Sequence, residues 1–593
     1  MTRLAQFTRD VWTLARPYWF SEDKWAGRGL LAVVVVLNLG LVYLNVLFAR
    51  WNNAFYNTLQ DKDYAAFFTQ LLRFTGLATA FIIVAVYQLY LNQMLQIRWR
   101  RWMTDRYLDT WLGDRAYYRL QLQGGAADNP DQRIAEDVKF FIGGSGRVGD
   151  ASGILPLGLG LMSAIVTLVS FLSMLWTLSG PLPLRLGSFS ITIPGYMVWA
   201  GLVYAFLGTW LTMKIGRPLV QLNFDQQRYE ADFRFSLVRL RENAEGVALY
   251  GGERDEHRNF RERFAHVVAN WWGIMRRQKR LTWFTAGYRQ AAIIFPFLVA
   301  APRFFRGELM LGGLMQTAVA FGQVQEALSF IITSYAEIAE WQAVVNRLIG
   351  FHASIERCRA DAAQQGIRVD ESPAPAIALE QIAVALPNGR PLLDDVTLSL
   401  PSGSSVLLTG PSGAGKSTLF RAIAGIWPFG TGAVRRPPGA RILFLPQKPY
   451  LPVGSLRESV SYPTPVGGIE DAVIAEALEA CGLPELVARL DERENWALRL
   501  SPGEQQRIAF ARALVQQPEW LFLDEATSAV DEATEARLYA LVRERLRGTT
   551  VVSIGHRPTL APFHSRRLVI APPDNGGTAR VAEATAPAAA ASA

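Results

Sequence analysis

A glycine-rich turn followed by a lysine and a serine carries the clearest chemistry in this sequence. Residues Gly410–Ser417 fit the pattern G-x-x-x-x-G-K-S, follow the apolar run Val406–Thr409 and precede a helical stretch. Glycines let backbone N–H groups turn inward around phosphate oxygens, and the following helix adds its N-terminal donors. Lys416 can reach the terminal phosphates, and the Ser417 hydroxyl can ligate Mg²⁺. We predict a nucleotide site formed by Gly410, Ser412, Gly413, Ala414, Gly415, Lys416, Ser417 and Thr418. The alternative is an ordinary glycine turn before a helix.

Two adjacent acids lie downstream of this turn. Asp524 and Glu525 follow the apolar run Trp520–Leu523. An acid at the end of a buried strand is suited to hold the water shell of a metal ion, and its neighbour could orient or deprotonate an attacking water. Two acids after a strand can also form a simple polar turn, but the glycine-rich turn upstream favours the catalytic interpretation.

Further motifs, in a fixed order, resemble those of the ATP-binding cassette (ABC) transporters. Leu500–Gln505 resembles the family signature, Gln447 in FLPQKPY the Q-loop, Ser528–Asp531 the D-loop, and His556 in SIGHRP the H-loop. The resemblance implies ATP and Mg²⁺ as cofactors, with Glu525 and His556 as catalytic residues. It also implies metal contacts from Ser417, Gln447 and Asp524, and nucleotide contacts from Gln447, Ser501, Gly503, Glu504 and Asp531.

Two departures from the family pattern bear on the site. Pro502 stands where the family usually has Gly, and Glu504 precedes Gln505 in the place of a single Gln. Proline removes one backbone donor but is well tolerated at a helix start. Leu386 stands where many members have an aromatic residue that stacks on adenine, so we expect weaker base binding or another stacking residue.

The elements that must position these motifs fall in the last two-fifths of the chain. Short apolar runs alternate with helical stretches over 377–571, as in an α/β domain with a helix-covered sheet. We predict a P-loop ABC nucleotide-binding domain there. Residues 351–376 are polar and rich in Pro and Ala, which predicts a linker. The Ala/Gly/Pro-rich tail, 572–593, is expected to be disordered.

The first 350 residues are predicted to form an α-helical transmembrane domain. Hydrophobic residues make up 50% of the 593-residue chain and charged residues only 19%, below the share usual in soluble proteins. Six long apolar stretches predict six spans with cytoplasmic extensions. This six-span arrangement resembles that of the ABC exporters, which implies an exporter-type fold. A soluble all-helical core is the alternative. The six stretches are Gly29–Phe48, Thr75–Leu95, Gly153–Leu178, Pro194–Met213, Phe284–Ala300 and Leu309–Thr333.

Charge in the loops predicts the topology. The loops Arg98–Arg147 and Lys214–Arg280 hold 9 and 14 basic residues, whereas the three alternate loops hold 2, 1 and 2. Basic residues stay on the cytoplasmic side, so both termini should be cytoplasmic. The net charge of +8 is then explained by membrane topology and contact with anionic lipids, without nucleic acid. Two cysteines cannot form a disulfide framework or a multi-Cys metal site.

Motifs in the membrane half narrow the resemblance. Trp51–Gln60, Arg98–Trp102, Asn129–Ile134 and Glu242–Glu253 resemble segments of the SbmA/BacA-related transporters, and also of the peroxisomal fatty-acyl-CoA half-transporters. The signature segment is closer to the ATPase-bearing bacterial members. This resemblance implies a bacterial inner-membrane half-transporter that works as a homodimer by alternating access. It further implies inward movement of peptides, antimicrobial ones included, or of other hydrophilic solutes such as cobalamin.

Several alternatives stay open at this point. The chain could move acyl-CoA or lipid, act as an exporter, form a heterodimer, or be a membrane-anchored ATPase that regulates a partner. Amides in or beside the spans could line a wet cavity or bond helices together. Arg289, near the start of the fifth span, could bind an anionic headgroup or a CoA phosphate.

Overall fold

The computed structural model describes residues 2–122, 129–144, 152–186, 189–364, 366–465, 467–571 and 578–583. The chain divides into two compact units. The first contains Met1–Asp109 and Asp128–His352, and the second contains Thr110–Ala127 and Ala353–Ala593.

Helices dominate the chain up to residue 364. In order they are α1 (Thr2–Trp19), α2 (Lys24–Gln60), α3 (Tyr64–Leu112), α4 (Ala116–Leu122), α5 (Pro130–Gln132), α6 (Val138–Gly143), α7 (Ile154–Ser179), α8 (Tyr196–Glu242), α9 (Ala244–Tyr250), α10 (Glu253–Phe305), α11 (Leu311–Thr333) and α12 (Tyr335–Gln364). A short antiparallel hairpin of β1 (Pro181–Leu186) and β2 (Phe189–Pro194) joins α7 to α8.

All six predicted spans fall on helices. Among the described residues, α2, α3, α7, α8 and α10 are long and apolar enough to cross a membrane. The sixth predicted span corresponds to α11, which is not among these five. The sequence of α11 explains the difference, because three glutamines and one glutamate interrupt its apolar residues: Gln316, Gln323, Gln325 and Glu326.

The helix α11 packs against four other helices, α2, α7, α8 and α10. Phe321 of α11 lies 5.3 Å from Phe295 of α10, centroid to centroid, and 5.6 Å from Tyr204 of α8. Tyr204 and Tyr288 of α10 each donate a hydrogen bond to the other's carbonyl, at 2.7 and 3.1 Å. These aromatic contacts fix the register of the three helices.

Amide side chains connect α2 to its neighbours. Asn53 donates to Gln316 Oε1 at 2.5 Å, and Asn57 accepts from the N–H of Gly312 at 2.8 Å. Asn38 donates to Ser163 Oγ of α7 at 2.6 Å. For Asn38 and Gln316, therefore, the structure favours inter-helix bonding over exposure to a cavity.

The second unit is built on two sheets. A six-stranded sheet has the order β14-β13-β6-β12-β11-β8 and is parallel except for β14, and a four-stranded sheet has the order β3-β7-β4-β5. The strands are β3 (Arg368–Glu371), β4 (Ala376–Ala385), β5 (Pro391–Pro401), β6 (Ser405–Thr409), β7 (Gly430–Arg436), β8 (Ile442–Leu445), β9 (Gly454–Ser455), β10 (Arg493–Glu494), β11 (Trp520–Asp524), β12 (Thr550–Ile554), β13 (Arg566–Ala571) and β14 (Arg580–Glu583).

Helices of the second unit cover these sheets and follow the strands that carry the motifs. They are α13 (Lys416–Ile423), α14 (Leu456–Ser461), α15 (Asp471–Ala480), α16 (Trp496–Arg499), α17 (Pro502–Gln516) and α18 (Glu532–Arg545). Two apolar clusters lie against the sheets, one around Phe510 and Leu523 and the other around Phe420 and Phe522. Parallel order brings the carboxyl ends of β6, β11 and β12 to one edge, where a ligand site is expected.

The boundaries differ from those predicted at two places. Within 351–376, predicted as a linker, α12 continues to Gln364 because Phe351, Ile355 and Cys358 recur at helical spacing and are buried. In the same stretch, β3 pairs with β7. In the tail predicted to be disordered, β14 pairs antiparallel with β13; residues 572–577 and 584–593 lie outside the described residues.

A further difference is that Thr110–Ala127, predicted as part of the membrane domain, groups with the cassette. Arg115 Nη1 donates to the carbonyl of Ala424 at 3.1 Å, and Leu122 packs on the apolar cluster around Phe420. Hydropathy could not show this grouping because the segment is too short and polar to display a periodic pattern.

Candidate functional site

The glycine-rich turn lies between β6 and α13, as predicted. Gly410, Gly413 and Gly415 have φ values of +152°, +79° and +94°, a region that favours glycine. A Cβ at Gly410 would approach the carbonyl oxygen of Ile570 to 2.8 Å. Ser412 and Gly413 are exposed, Ala414 is half-buried, and Gly415 and Thr418 are buried. The backbone of the turn thus curves around the space in front of the N-terminus of α13.

Lys416 is folded over this turn. Its Nζ donates to the carbonyls of Gly410 and Pro411, both at 2.9 Å, and the side chain is buried. Burial lowers the pKa of Lys416, while Glu525 and Asp524 act in the opposite direction. An anion in the turn would supply the missing negative charge, so the arrangement suits phosphate binding.

Ser417 and Asp524 meet across the site. The Ser417 hydroxyl donates to Asp524 Oδ1 at 2.9 Å. Burial raises the pKa of Asp524, and the bond from Ser417 opposes that rise. A hydroxyl and a carboxylate oxygen in contact are ligands that Mg²⁺ accepts when phosphate oxygens and water complete its shell. Among the described residues no cluster of three or more His, Cys, Asp or Glu side chains could hold a metal alone.

Glu525 lies between two other predicted site residues. Its Oε1 is 3.1 Å from His556 Nε2, and its Oε2 accepts a hydrogen bond from Gln447 at 3.1 Å. The backbone of Glu525 has φ +48°, and its N–H donates to Ile554 O of the neighbouring strand at 3.1 Å. The Q-loop, H-loop and acidic motifs thus converge on one carboxylate.

The signature residues cap the N-terminus of α17. Ser501 Oγ accepts from the N–H of Glu504 at 3.3 Å, and the Glu504 carboxylate accepts from the N–H and the hydroxyl of Ser501, both at 2.7 Å. This is a capping box, with Pro502 at the first helical position, where its missing N–H costs nothing. The bonds from Ser501 hold the pKa of Glu504 below its usual value.

The structure does not bring the signature to the glycine-rich turn of the same chain. Among the described residues, no hydrogen bond links Ser501, Gly503 or Glu504 to that turn. Gly503 instead lies against the D-loop, where a Cβ would approach Ala529 O to 2.9 Å. Asp531 caps α18 by accepting from the N–H of Thr534 at 2.8 Å, a bond that lowers the pKa of Asp531. The predicted nucleotide contacts of these residues stay predictions.

A residue without an assigned role, Gln506, links the Q-loop to the D-loop. It is 2% exposed, and its Nε2 donates to Gln447 O at 2.9 Å and to Ser528 Oγ at 3.0 Å. Its Oε1 accepts from the N–H of Ala529 at 2.9 Å. Gln506 follows the signature directly in sequence, but a position on α17 does not reveal which loops its side chain meets.

A buried acid forms a second link between loops. Glu535 of α18 accepts from Thr527 at 2.6 Å and from Thr559 at 2.8 Å. Arg557, next to His556, lies 3.6 Å from the same carboxylate and donates to Val530 O at 2.9 Å. The H-loop is thereby connected to the D-loop.

Leu386 is half-buried in a turn closed by hydrogen bonds to Gly389 and Arg390, each 2.8 Å. It packs on the apolar cluster around Phe420. The expectation of a different contact for the base stays a prediction.

Comparison with known families agrees with this architecture. Residues 14–305 match the ABC transporter transmembrane region 2, and residues 393–528 match the ABC transporter domain. The two matches fall in the helical and α/β parts of the chain.

Individual relatives cover almost all of the chain. An inner membrane ABC transporter ATP-binding protein of Escherichia coli, YddA, is 33% identical over 92% of this chain and 94% of its own. The mouse lysosomal cobalamin transporter ABCD4 is 29% identical over 93% and 92%. A solved structure of a bacterial Atm1-family ABC exporter with ATP bound superposes with a TM-score of 0.68 at 17% identity, covering 94% of both chains.

The Atm1 likeness shows the fold alone, and it confirms the predicted class, a helical transmembrane domain followed by a P-loop α/β domain. The family follows from the near full-length relatives and both matched regions. The chain belongs to the ABC transporters, as a half-transporter whose ATP-binding domain is an ATPase coupled to movement across a membrane.

Proposed function

We propose that two copies of this chain form a homodimer that binds MgATP at two composite sites. The observation that carries this proposal is that, among the described residues of one chain, no hydrogen bond links Ser501 to the glycine-rich turn. The other site residues do meet: Glu525 contacts Gln447 and His556, and Ser417 contacts Asp524. A second chain would supply the signature. The ATP-bound Atm1-family structure supports this arrangement at the level of fold.

In this dimer each residue has a defined task. Lys416 and the N–H groups of the turn would hold phosphate. Ser417 and Asp524 would hold Mg²⁺, which would supply positive charge beside the phosphates when bound. Glu525 accepts a proton from the attacking water, while Gln447 and His556 orient its carboxylate. Closure of two cassettes on nucleotide and their release after hydrolysis then switch the membrane domain between two access states.

The cargo we propose is a peptide, antimicrobial ones included, or another hydrophilic solute such as cobalamin, moved inward. A relative named a cobalamin transporter and the resemblance to the SbmA/BacA-related proteins support a polar cargo. Polar side chains on α11 support it as well, because amides and carboxylates interact poorly with acyl chains. Acyl-CoA or lipid transport, or export, is the second candidate, supported by the exposed Arg289.

We further propose the bacterial inner membrane as the location, with both termini in the cytoplasm. The loop charges support this topology. The relative YddA is named an inner membrane protein, which supports the proposed location in the inner membrane. Contact with anionic lipids would follow from the basic loops.

Uptake into membrane vesicles tests the cargo and its direction together. ATP-dependent accumulation of labelled peptide, cobalamin and acyl-CoA would be compared in inverted and right-side-out vesicles. Accumulation of peptide or cobalamin with inward polarity is expected. Accumulation of acyl-CoA alone would exclude the leading proposal.

A Glu525→Gln variant tests the coupled ATPase against a purely regulatory protein. The amide keeps the hydrogen bond from Gln447 but cannot accept a proton, so hydrolysis should fall about 100-fold or more while ATP binding persists. Transport should fall with it, and the dimer should stall closed in size-exclusion measurements with ATP. Unchanged hydrolysis in Glu525→Gln would show that Glu525 does not accept the proton of the attacking water. If the unaltered protein hydrolysed ATP but moved no solute, a regulatory ATPase would be favoured.

A further inference from the structure

Two opposite charges lie at the same level of the membrane domain, on the adjacent helices α10 and α11. Arg289 is 16 residues before the end of α10, and Glu326 is 15 residues after the start of α11. At a rise of about 1.5 Å per residue, each lies roughly 23 Å from the turn that joins the two helices. The contact between Phe295 and Phe321 supports this register, because these residues also lie at equal distances from the turn.

The two side chains also point to the same side of the helix pair. Arg289 is six residues before Phe295, and Glu326 is five residues after Phe321. At about 100° per residue, each position is rotated by roughly a third of a turn about its own helix axis from the aromatic contact. In both helices the rotation has the sense in which the helix winds as residue number rises. Because the helices are antiparallel, equal rotations in that direction place both side chains on one side.

This side of the pair is open in the structure. Arg289 and Glu326 are exposed, and so are Gly287 and Gly322 beside them. A Cβ placed on either glycine would meet no atom within 4 Å. Among the described residues neither charge forms an ion pair within 4.0 Å, unlike Arg303 and Arg306, which pair with Glu308 at 3.1 and 2.8 Å. The two charges are thus separate and accessible.

Solvation decides what this side must face. An ionised glutamate is costly in lipid and is too short to reach the membrane surface from this depth, so such residues face the bundle interior or a wet cavity. Glutamines and a glutamate interrupt the apolar residues of the helix that carries Glu326, and this helix packs against four others. The exposed side of α11 that carries Gly322 and Glu326 is therefore expected to face the water-filled path of the transporter.

We propose that Arg289 and Glu326, the charge pair, form a cargo subsite that binds the carboxylate and the amino group of a short peptide with free ends. This subsite rests on the proposed transport of a polar solute. Helix axes in contact lie about 8–10 Å apart. Both positions lie more than a quarter of a turn from the aromatic contact, so their Cβ atoms are farther apart than the two axes. A tripeptide spans about 10 Å when extended, and the two long side chains can bend inward to reach its ends. An arginine binds a carboxylate in bidentate geometry, and the glutamate accepts from the ammonium group.

Blocked peptides test this assignment in vesicles that contain the full-length protein. The probes are labelled trialanine, its N-acetyl form and its C-terminal amide. At subsaturating concentration, Glu326→Gln should lower ATP-dependent accumulation of trialanine about tenfold and leave that of N-acetyl-trialanine unchanged. Arg289→Gln should lower accumulation of trialanine about tenfold and leave that of the amide unchanged.

Matched controls neutralise exposed charges elsewhere on the same region of the chain. Arg277→Gln on α10 and Glu340→Gln on α12 should leave the accumulation of all three probes unchanged. Cargo-free ATP hydrolysis by the four variants should equal that of the unaltered protein, which shows that they fold and assemble.

Four outcomes would overturn the subsite. Equal losses with all three probes would indicate an ion pair between subunits or a structural role. No loss with trialanine would show that the charges do not contact it. Accumulation of cobalamin but of no peptide would exclude the subsite while the proposed transport stands, whereas absence of any ATP-dependent accumulation would exclude both.

Discussion

At the scale of single residues, Gln506 holds two loops of the cassette together, the Q-loop and the D-loop. Its amide joins the Q-loop carbonyl of Gln447 to Ser528 and Ala529 of the D-loop. Gln447 in turn donates to Glu525. If Glu525 activates water as proposed, Gln506 is a positioning residue that acts on this carboxylate through Gln447.

Substitution of Gln506 should slow hydrolysis without weakening ATP binding to the same degree. Gln506→Ala removes the hydrogen bonds to Gln447 O, Ser528 Oγ and the N–H of Ala529, so the Q-loop and the D-loop lose the side chain that links them. We expect kcat for ATP to fall about tenfold or more, with KM changed less than threefold. Steady-state kinetics of the purified protein would measure both.

The conservative variant separates positioning from simple loss of packing. Gln506→Glu keeps the acceptor for Ala529 but cannot donate to Gln447 or Ser528, so kcat should again fall. Gln516→Ala, at the far end of the same helix, serves as the control and should leave kcat unchanged. Full activity in Gln506→Glu would contradict the role given to the two donated bonds.

The role of a site residue could be predicted from the sequence when its motif is a short continuous segment. The turn at 410–417 carries its own chemistry, and the structure brings Ser417, Gln447, Asp524, Glu525 and His556 together as the motifs indicated. Gln506 was missed because its three partners come from loops distant in sequence. Only the folded sheet shows that these loops meet.

At the scale of elements, the start of α17 explains both departures in the signature. Pro502 occupies the first helical position, and Glu504 closes a capping box with Ser501. A glutamine at position 504 could also accept from the Ser501 N–H, whereas an alanine could not. The capping box therefore tolerates either side chain but requires an acceptor.

Variants of Glu504 test this explanation. Glu504→Ala should destabilise the cassette by about 1 kcal/mol, while Glu504→Gln should cost less. Because the pKa of Glu504 is lower in the folded state, its charge stabilises the fold above the unfolded pKa, and the effect is lost as pH falls through the folded pKa.

Thermal unfolding at pH 7 and pH 4 would measure these differences. The gap in Tm between the unaltered protein and Glu504→Gln should shrink at the lower pH. A gap that widens at pH 4 would contradict a stabilising carboxylate. Asp531→Asn, which caps a different helix, provides a second acid for comparison.

Elements without a strong pattern were the ones that differed from prediction. The strand β14 and the last turns of α12 lie in stretches whose Pro, Ala and Gly content suggested irregular chain. They are ordered by partners, β13 for the strand and buried side chains for the helix. Composition reports the average tendency of a segment and contains no information about such partners.

At the scale of the whole molecule, the proposed homodimer makes each ATP site depend on two chains. Lys416 belongs to one half of a site and Ser501 to the other half. Two different inactive chains could then complement each other, because one of the two sites in a mixed dimer would contain neither defect.

Co-expression of a Lys416→Ala chain with a Ser501→Ala chain tests this dependence. Each variant alone should hydrolyse ATP at a few per cent of the normal rate or less. Mixed dimers isolated through two different affinity tags should recover hydrolysis well above either variant. If each chain formed a complete site by itself, the mixed dimers would stay as inactive as their parents.

The grouping of Thr110–Ala127 with the cassette has a consequence for anyone who expresses the ATPase part by itself. A gene fragment that begins at residue 353 would leave out Leu122 and Arg115, and so would uncover apolar surface around Phe420 and free the carbonyl of Ala424. Such a fragment should precipitate more readily than one to which the peptide 110–127 is fused. An isolated ATPase fragment of this protein should therefore contain the segment 110–127 fused to the chain that begins at residue 353.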